Sequence, residues 1–430
     1  MPTIKDIPLG QIANLKDKIA IVYDNGLFVE IAKTLAKSFK KVYYYMPWKN
    51  GFPKSNQYIV GEGIEGIERI QNFWDYKDKA DIIIFPDIYD GDLQLELIKQ
   101  GKLVWGGRKG EDMELYRDRM KKYMKSVGLY VTPFTTIKGL DNLREYLKGN
   151  DNVWVKQNVT RGDFETFHSI DYQTIEPVLD ELEHNLGRLK LEKEFIVEHA
   201  LDNAVETGVD LYTIDGNFPS STLAGIEVKD LGYVGKIVPY AELSPKVTDF
   251  NEKIQPALKG FGYRGFMSTE IRVSKDKPPY MVDFCARAGS PPNELYQLMY
   301  KNLAEIIWYG ASGILIDPIT TKKYGVEALI HSSWADKNWQ AITFPEKYRD
   351  NIKLRNACKI DGFYYAVPQS VGLPEIGAVV TEADTIDEAV EQAKIIGESI
   401  KGHYIEIKID SINVALEQFK QLEEFGVKIL

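Results

Sequence analysis

Two carboxylates, Glu270 and Asp283, stand in the stretch 260–292, GFGYRGFMSTEIRVSKDKPPYMVDFCARAGSPP, with Arg287 close behind them. Residues 266–273 and 280–284 read as strands, and the turn between them, with Ser274, Asp276 and paired prolines, cannot continue a ladder, so a hairpin is expected. Pairing Val273 with Tyr280 sets Glu270 opposite Asp283 and places Glu270, Arg272, Met281, Asp283 and Cys285 on related faces. Facing carboxylates repel unless a cation stands between them, and a hard divalent ion takes carboxylate oxygens together with substrate phosphates. Beyond the second strand, Arg287 offers a planar fork for a carboxylate or phosphate, and Gly289 a backbone that an anion can approach closely. These residue types suit a combined metal and anion site.

The run VDFCARAGSP resembles the E-F-N-x-R-x-G-D-P signature of ATP-grasp ligases, in particular the phosphoribosylamine-glycine ligase (glycinamide ribonucleotide synthetase) family. The preceding GYRGFMSTEIRV resembles the strand that carries that family's other metal-binding acid. The resemblance implies that Glu270 and Asp283 hold Mg2+, with Mn2+ as the alternative ion, bridging the phosphates of ATP, and that Arg287 binds the substrate carboxylate or its acyl phosphate. Cys285 stands where the signature has asparagine, which adds a soft sulfur, poorly suited to Mg2+, to the candidate metal set. Ser290 stands where it has aspartate, which leaves the substrate open.

A chain of 430 residues, 44% hydrophobic and 27% charged, is ordinary globular material long enough for about three domains, and this excludes disordered and fibrous classes. Two cysteines, Cys285 and Cys358, cannot make a disulfide framework, and residues 1–9 lack the apolar core of a signal peptide, so a reducing cytoplasm is expected. No apolar run approaches the roughly 20 residues of a membrane span. The formal charge of -10 argues against a broad nucleic-acid surface while allowing a local positive pocket of the kind ATP needs. A monomer or homodimer acting on small molecules, without nucleic acid or membrane partners, is the expectation.

The elements that must position these groups begin with apolar strands at 18–23, 41–45, 81–85 and 102–105 and helices at 27–39 and 93–99, which predict a small parallel sheet. Gly26, at the carboxyl end of the first strand, is either a contact for an amine substrate or a plain turn glycine. Gly61, Gly63 and Gly66 match G-x-G-x-x-G before a helical 67–74, but two glutamates would stand where a pyrophosphate must sit, so the dinucleotide reading is rejected. Residues 112–127 predict one charged helix. By the resemblance its Lys121, with Lys122 as the neighbouring alternative, touches a nucleotide phosphate.

Residues 152–157 alternate as a strand, and the resemblance makes it the nucleotide strand, with Lys156 reaching the phosphates and the loop 161–166, including Arg161 and Gly162, closing over them. One glycine in that loop offers fewer amide donors than a glycine nest would. Strand 195–199 carries Glu198, implied near adenine or ribose, and Glu206 is implied near ribose or phosphates. Residues 224–245 resemble a family loop, in which Lys229 and Lys236 are candidate phosphate ligands. An apolar helix is expected at 298–307. In the last third, a strand at 379–381, a capping box Thr385–Glu388 opening a helix at 386–400, and a final helix from 411 are expected, and this segment is similar to the C-terminal domain of the same family. The five histidines show neither triad nor zinc spacing.

The expected fold is therefore α/β (α+β) with ATP-grasp architecture. It comprises an N-terminal parallel-sheet pre-ATP-grasp domain (1–107), a central ATP-grasp nucleotide-binding domain (108–316) and a small C-terminal α+β domain (317–430). The expected function is an ADP-forming carboxylate–amine ligase that activates a small carboxylate, glycine or another amino acid among the candidates, as an acyl phosphate and couples it to an amine. The alternatives are phosphoribosylamine-glycine ligase of purine biosynthesis itself, and a catalytically silent nucleotide-binding protein.

Overall fold

Strands β1 (Ile19–Tyr23), β2 (Lys41–Tyr45), β3 (Ile67–Arg69), β4 (Ile82–Ile84) and β5 (Leu103–Trp105) form a parallel sheet in the order β3-β2-β1-β4-β5. The computed structural model describes residues 13–47, 59–159, 166–201, 203–368, 374–409 and 412–429. Both faces of this sheet are buried, Ala20, Val22 and Ile82 on one and Ile21, Tyr43 and Ile83 on the other, which is why its strands are continuously apolar. Helices α1 (Val29–Ala36) and α2 (Gly91–Lys99) connect it. The segment expected to be helical at 67–74 begins instead as the edge strand β3 and turns into a short 3-10 helix at Phe73–Asp75, and the glycines before it pack closely, with the Lys359 carbonyl directly over Gly63.

Residues 112–127, expected as one helix, are two: α3 (Asp112–Leu115) and α4 (Arg117–Ser126), broken at Tyr116, whose backbone (φ −106, ψ 69) is not helical. There follows a four-stranded antiparallel sheet, β6 (Phe134–Lys138), β7 (Val153–Gln157), β8 (Thr166–Ser169) and β9 (Glu194–His199), in the order β6-β9-β7-β8. With α5 (Leu140–Leu147) and α6 (Tyr172–Leu186) it encloses its own core of Leu140, Leu143, Val155, Leu179 and Phe195.

The large sheet is built from β10 (Val205–Ile214), β11 (Ser221–Val228), β12 (Gly232–Pro239), β13 (Arg264–Val273) and β14 (Tyr280–Cys285), backed by α7 (Pro245–Phe261). The stretch 224–245, expected as a loop, is largely the β11–β12 hairpin. The apolar helix expected at 298–307 is two, α8 (Asn293–Met299) and α9 (Leu303–Ala311).

Beyond residue 316 the same sheet runs on through β15 (Tyr324–Ser332). Then come β16 (Gln340–Ile342), β17 (Ile352–Leu354), β18 (Ala357–Ile360), β19 (Phe363–Ala366), β20 (Glu375–Ala383) and the short β21 (Ile405–Glu406). The order β14-β13-β10-β11-β12-β15-β20-β17 crosses the boundary expected at 316/317 without interruption, while β16, β19 and β18 form a separate small sheet. Helices α10 (Ile386–Glu398) and α11 (Ile412–Glu424) pack on the large sheet, and Thr385 caps α10 by accepting from the Glu388 amide, as the sequence predicts. No helix among the described residues is long and apolar enough to cross a membrane.

Candidate active site

The register of β13 and β14 builds the centre of the site. Arg272 faces Tyr280 and Ile271 faces Met281, one position off the expected Val273–Tyr280 pairing, but an irregularity between Glu270 and Ile271 passes over Val282 and restores Glu270 opposite Asp283. Met281 consequently turns to the other face and is buried, away from the acids it was expected to accompany, whereas Cys285 remains on their face, opposite Ser268. The Val282 carbonyl accepts from Lys121 Nζ at 3.1 Å and Lys156 Nζ at 3.5 Å.

Lys156 reaches this point from β7, and Lys121 from α4. Lys156 Nζ lies 3.4 Å from Asp283 Oδ2 and 3.5 Å from Glu198 Oε1, and Lys121 Nζ lies 3.1 Å from the same Glu198 oxygen. The Thr132 hydroxyl donates to the other Glu198 oxygen, and Thr132 is held there because Val131 bridges to Met281. Lys122 is 67% exposed and pairs with Asp118, so of the two neighbours only Lys121 joins the cluster. Glu198, implied near adenine or ribose, has its carboxylate occupied by two lysines and a hydroxyl instead. Burial opposes the charge on Lys156, but Asp283 and then Glu198 hold its pKa above the ordinary lysine range.

The two facing acids are electrostatically unequal. Burial raises the Asp283 carboxyl, but Lys156, Arg117 and Lys121 outweigh it and hold Asp283 ionised well below the usual carboxylate range. Glu270 is pushed far up by burial and by Glu206, Asp283 and Glu227, so that without a cation its cheapest state is protonated. A divalent ion between Glu270 and Asp283 would replace that proton, and two hard carboxylates are the donor set Mg2+ takes when phosphates and water complete its shell. Among the described residues no three His, Cys, Asp or Glu side chains converge as a metal centre. Burial keeps the thiol of Cys285, the expected third member, protonated, and its sulfur lies 3.8 Å from the Arg287 carbonyl oxygen as a donor to it.

Arg287 is set by Glu114, whose Oε1 lies 3.0 Å from Arg287 Nε while Oε2 accepts the Ala286 amide at 2.6 Å. Arg117 Nε stands 3.4 Å from Asp283, and its Nη1 donates to the Gln157 carbonyl at 2.9 Å. The break at Tyr116 lets Glu114 and Arg117 face these two partners. Sequence reading missed both, because in a continuous charged helix they look like solvated surface. Glu206 pairs with Arg272 at 2.9 Å beside Glu270. Lys229 lies over the Trp154 ring at 5.3 Å on the wall of the cleft, and Lys236 lies over Tyr324 at 5.5 Å. The Gly26 carbonyl accepts the Asn356 amide at 2.9 Å, which favours the turn-glycine reading. Arg161 and Gly162 lie outside the described residues.

Lys156, Glu198, Glu206, Glu270, Asp283 and Arg287 line one cleft of ≈ 630 Å³ between the β6–β9 sheet and the large sheet. The chain has the fold of the ATP-grasp enzymes. Among solved structures it is similar to phosphoribosylamine-glycine ligase from Thermotoga maritima, at 17% identity and TM-score 0.69, covering 91% of this chain and 99% of that one. It is likewise similar to the biotin carboxylase domain of Hydrogenobacter thermophilus 2-oxoglutarate carboxylase in complex with MgADP and bicarbonate, at 12% and 0.66, covering 95% and 98%. The N5-carboxyaminoimidazole ribonucleotide synthetase of Thermotoga maritima matches at 12% and 0.59, covering 90% and 99%. At these identities the likeness establishes the fold. No protein-family model and no curated protein matches the sequence.

Proposed function

We propose that the chain is an ADP-forming carboxylate–amine ligase, with ATP in the cleft between the two antiparallel sheets and a small carboxylate beside Arg287. The observation that carries this reading is the convergence of Lys156 and Lys121, from separate elements, on the Asp283 end of a strand pair whose other acid, Glu270, is pushed far up by burial and neighbouring carboxylates. Glu270 and Asp283 would hold Mg2+, which would supply positive charge to neutralise the phosphates. Lys156 and Lys121 then counter the charge that develops as the γ-phosphoryl group leaves ADP. Arg287, fixed by Glu114, presents its fork to the substrate carboxylate, and orienting that oxygen in line with the γ-phosphorus is its contribution. The carboxylate oxygen forms a bond to phosphorus as the bond to ADP breaks, giving an acyl phosphate. The amine nitrogen then attacks the acyl carbon, phosphate leaves, and an amide remains. Glu198 takes no part in bond making and holds the two lysines in place. Solved structures of similar fold in complex with MgADP or ADP support a nucleotide in this cleft.

The test is ADP release with ATP, Mg2+ and a panel of carboxylates and amines, with glycine plus phosphoribosylamine as one arm. ADP formed only when both an acid and an amine are present supports the ligase. ADP release confined to the glycine and phosphoribosylamine arm identifies the purine-pathway enzyme. ATP binding by calorimetry with no release for any pair refutes turnover and leaves a silent nucleotide-binding protein.

A further inference from the structure

Behind Glu270 and Asp283 the cleft continues into a second, smaller chamber of ≈ 90 Å³, which shares Glu206, Glu227, Arg287 and Ser290 with it. Its lining carries the cation Arg287, which it shares with the cleft, and Arg117, Asp210 and Tyr233, which the cleft does not reach. The Tyr233 hydroxyl donates to Asp210 Oδ2 at 2.6 Å, and both residues are buried. The aromatic ring lies across two glycines. A Cβ on Gly225 would stand 2.4 Å from the Tyr233 hydroxyl, and one on Gly235 would stand 2.6 Å from its ring, so the chain reserves this space for the ring. The Ser290 hydroxyl, where chamber and cleft meet, is buried with no hydrogen-bond partner among the described residues, as expected of a group that meets a polar ligand.

We propose that Tyr233 and Asp210 form the floor of the acid-substrate subsite, and that they limit the activated carboxylate to small acids carrying a hydrogen-bond donor at the end remote from the carboxyl group. This inference rests on the ligase reading for the identity of the ligand, and on geometry for its size. At ≈ 90 Å³ the chamber is small beside the ≈ 630 Å³ cleft, so the space beyond the Arg287 fork suits a short acid. An ionised carboxylate has about four acceptor positions, so Asp210 can take a hydrogen bond from a ligand while it keeps the one from Tyr233. An acid with an apolar tail would leave that acceptor unpaired in a buried chamber, which discriminates against it. Tyr233 is thus a specificity-determining residue through its ring, and Asp210 through its charge.

The experiment uses the full chain with Mg2+ and a non-hydrolysable ATP analogue, and measures by calorimetry the binding of glycine, β-alanine, propionate, glutamate and phenylalanine. Wild type is expected to bind glycine and β-alanine, to bind propionate at least tenfold more weakly, and to show no binding of glutamate or phenylalanine. Tyr233→Leu is expected to gain the two larger acids, Tyr233→Phe to keep the wild-type size limit, and Asp210→Asn to lose the preference over propionate. Binding of the ATP analogue serves as the check that each variant is folded. Large acids bound by wild type, no acid of the set bound by wild type, or an unchanged size range in folded Tyr233→Leu would each overturn the proposal. Acids bound in the expected order with no ADP formed from ATP and any amine would sink the ligase reading and leave the floor standing.

Discussion

Lys156 Nζ lies 3.4 Å from Asp283 Oδ2, joining the small antiparallel sheet to the large one across the cleft. If this pair acts as a unit on the phosphates, Lys156→Met and Asp283→Asn should each lower ADP release about 10²–10³-fold. The double variant should cost little more than the worse single one, because each substitution removes the same interaction. Independent, multiplicative losses in steady-state kinetics would show that the two residues act separately.

The electrostatic imbalance of Glu270 and Asp283 makes a prediction about the metal. Glu270→Gln should weaken Mn2+ binding, read by electron paramagnetic resonance with ADP present, at least about tenfold, equivalent to ~1.4 kcal/mol. Unchanged Mn2+ affinity would remove Glu270 from the metal site whatever happens to turnover.

Glu114 holds Arg287 at 3.0 Å, on the side of the site proposed for the acid. Glu114→Gln should therefore raise KM for the acid about tenfold, ~1.4 kcal/mol, and leave KM for ATP as it is. A parallel rise in both constants would point to a general distortion of the cleft.

Glu198 sits buried between Lys121 and Lys156. Lys156 keeps Asp283, but Lys121 loses its carboxylate partner and stays buried, so Glu198→Ala should destabilise the fold by ~3–5 kcal/mol, seen in urea unfolding at constant m-value. A loss of activity with full stability would return Glu198 to a direct contact with the nucleotide.

Burial, with Asp90 and Asp112 adding to it, pushes the Glu111 carboxyl up to about 7 while its oxygen accepts the Gly91 amide at 2.8 Å. The folded chain thus keeps a proton that the unfolded chain releases near pH 4.5, so between pH 4.5 and 7 the folded state binds more protons and this group's contribution to stability falls as pH rises. Glu111→Gln keeps an acceptor for Gly91 but has no proton to lose. From pH 5 to pH 8, Tm of the wild type should drop relative to that variant, and parallel Tm curves would contradict the assignment.

Much of the architecture was written locally. The continuous apolar runs of β1 and β4 follow from burial on both faces, the Thr385 cap follows from one hydroxyl and one amide three residues apart, and Lys156 is marked by the alternation of its own strand. Helix α7 was equally legible in Val247, Phe250, Ile254 and Leu258, whose helical spacing the sequence reading passed over.

What the sequence alone determined was which residue types share a face, because periodicities of 2 and 3.6 are properties of a single segment. Glu270 and Asp283 were found that way. Which groups meet was decided only by the tertiary structure. The irregularity beside Glu270 corrects a register that counting placed one residue off, and the break at Tyr116 turns Glu114 and Arg117 inward. Glu198 is claimed by two lysines from different elements, and the Tyr233 ring reaches Asp210 over two glycines. Each of these depends on contacts between segments far apart in the chain, and the pattern of a single segment carries no record of its partner.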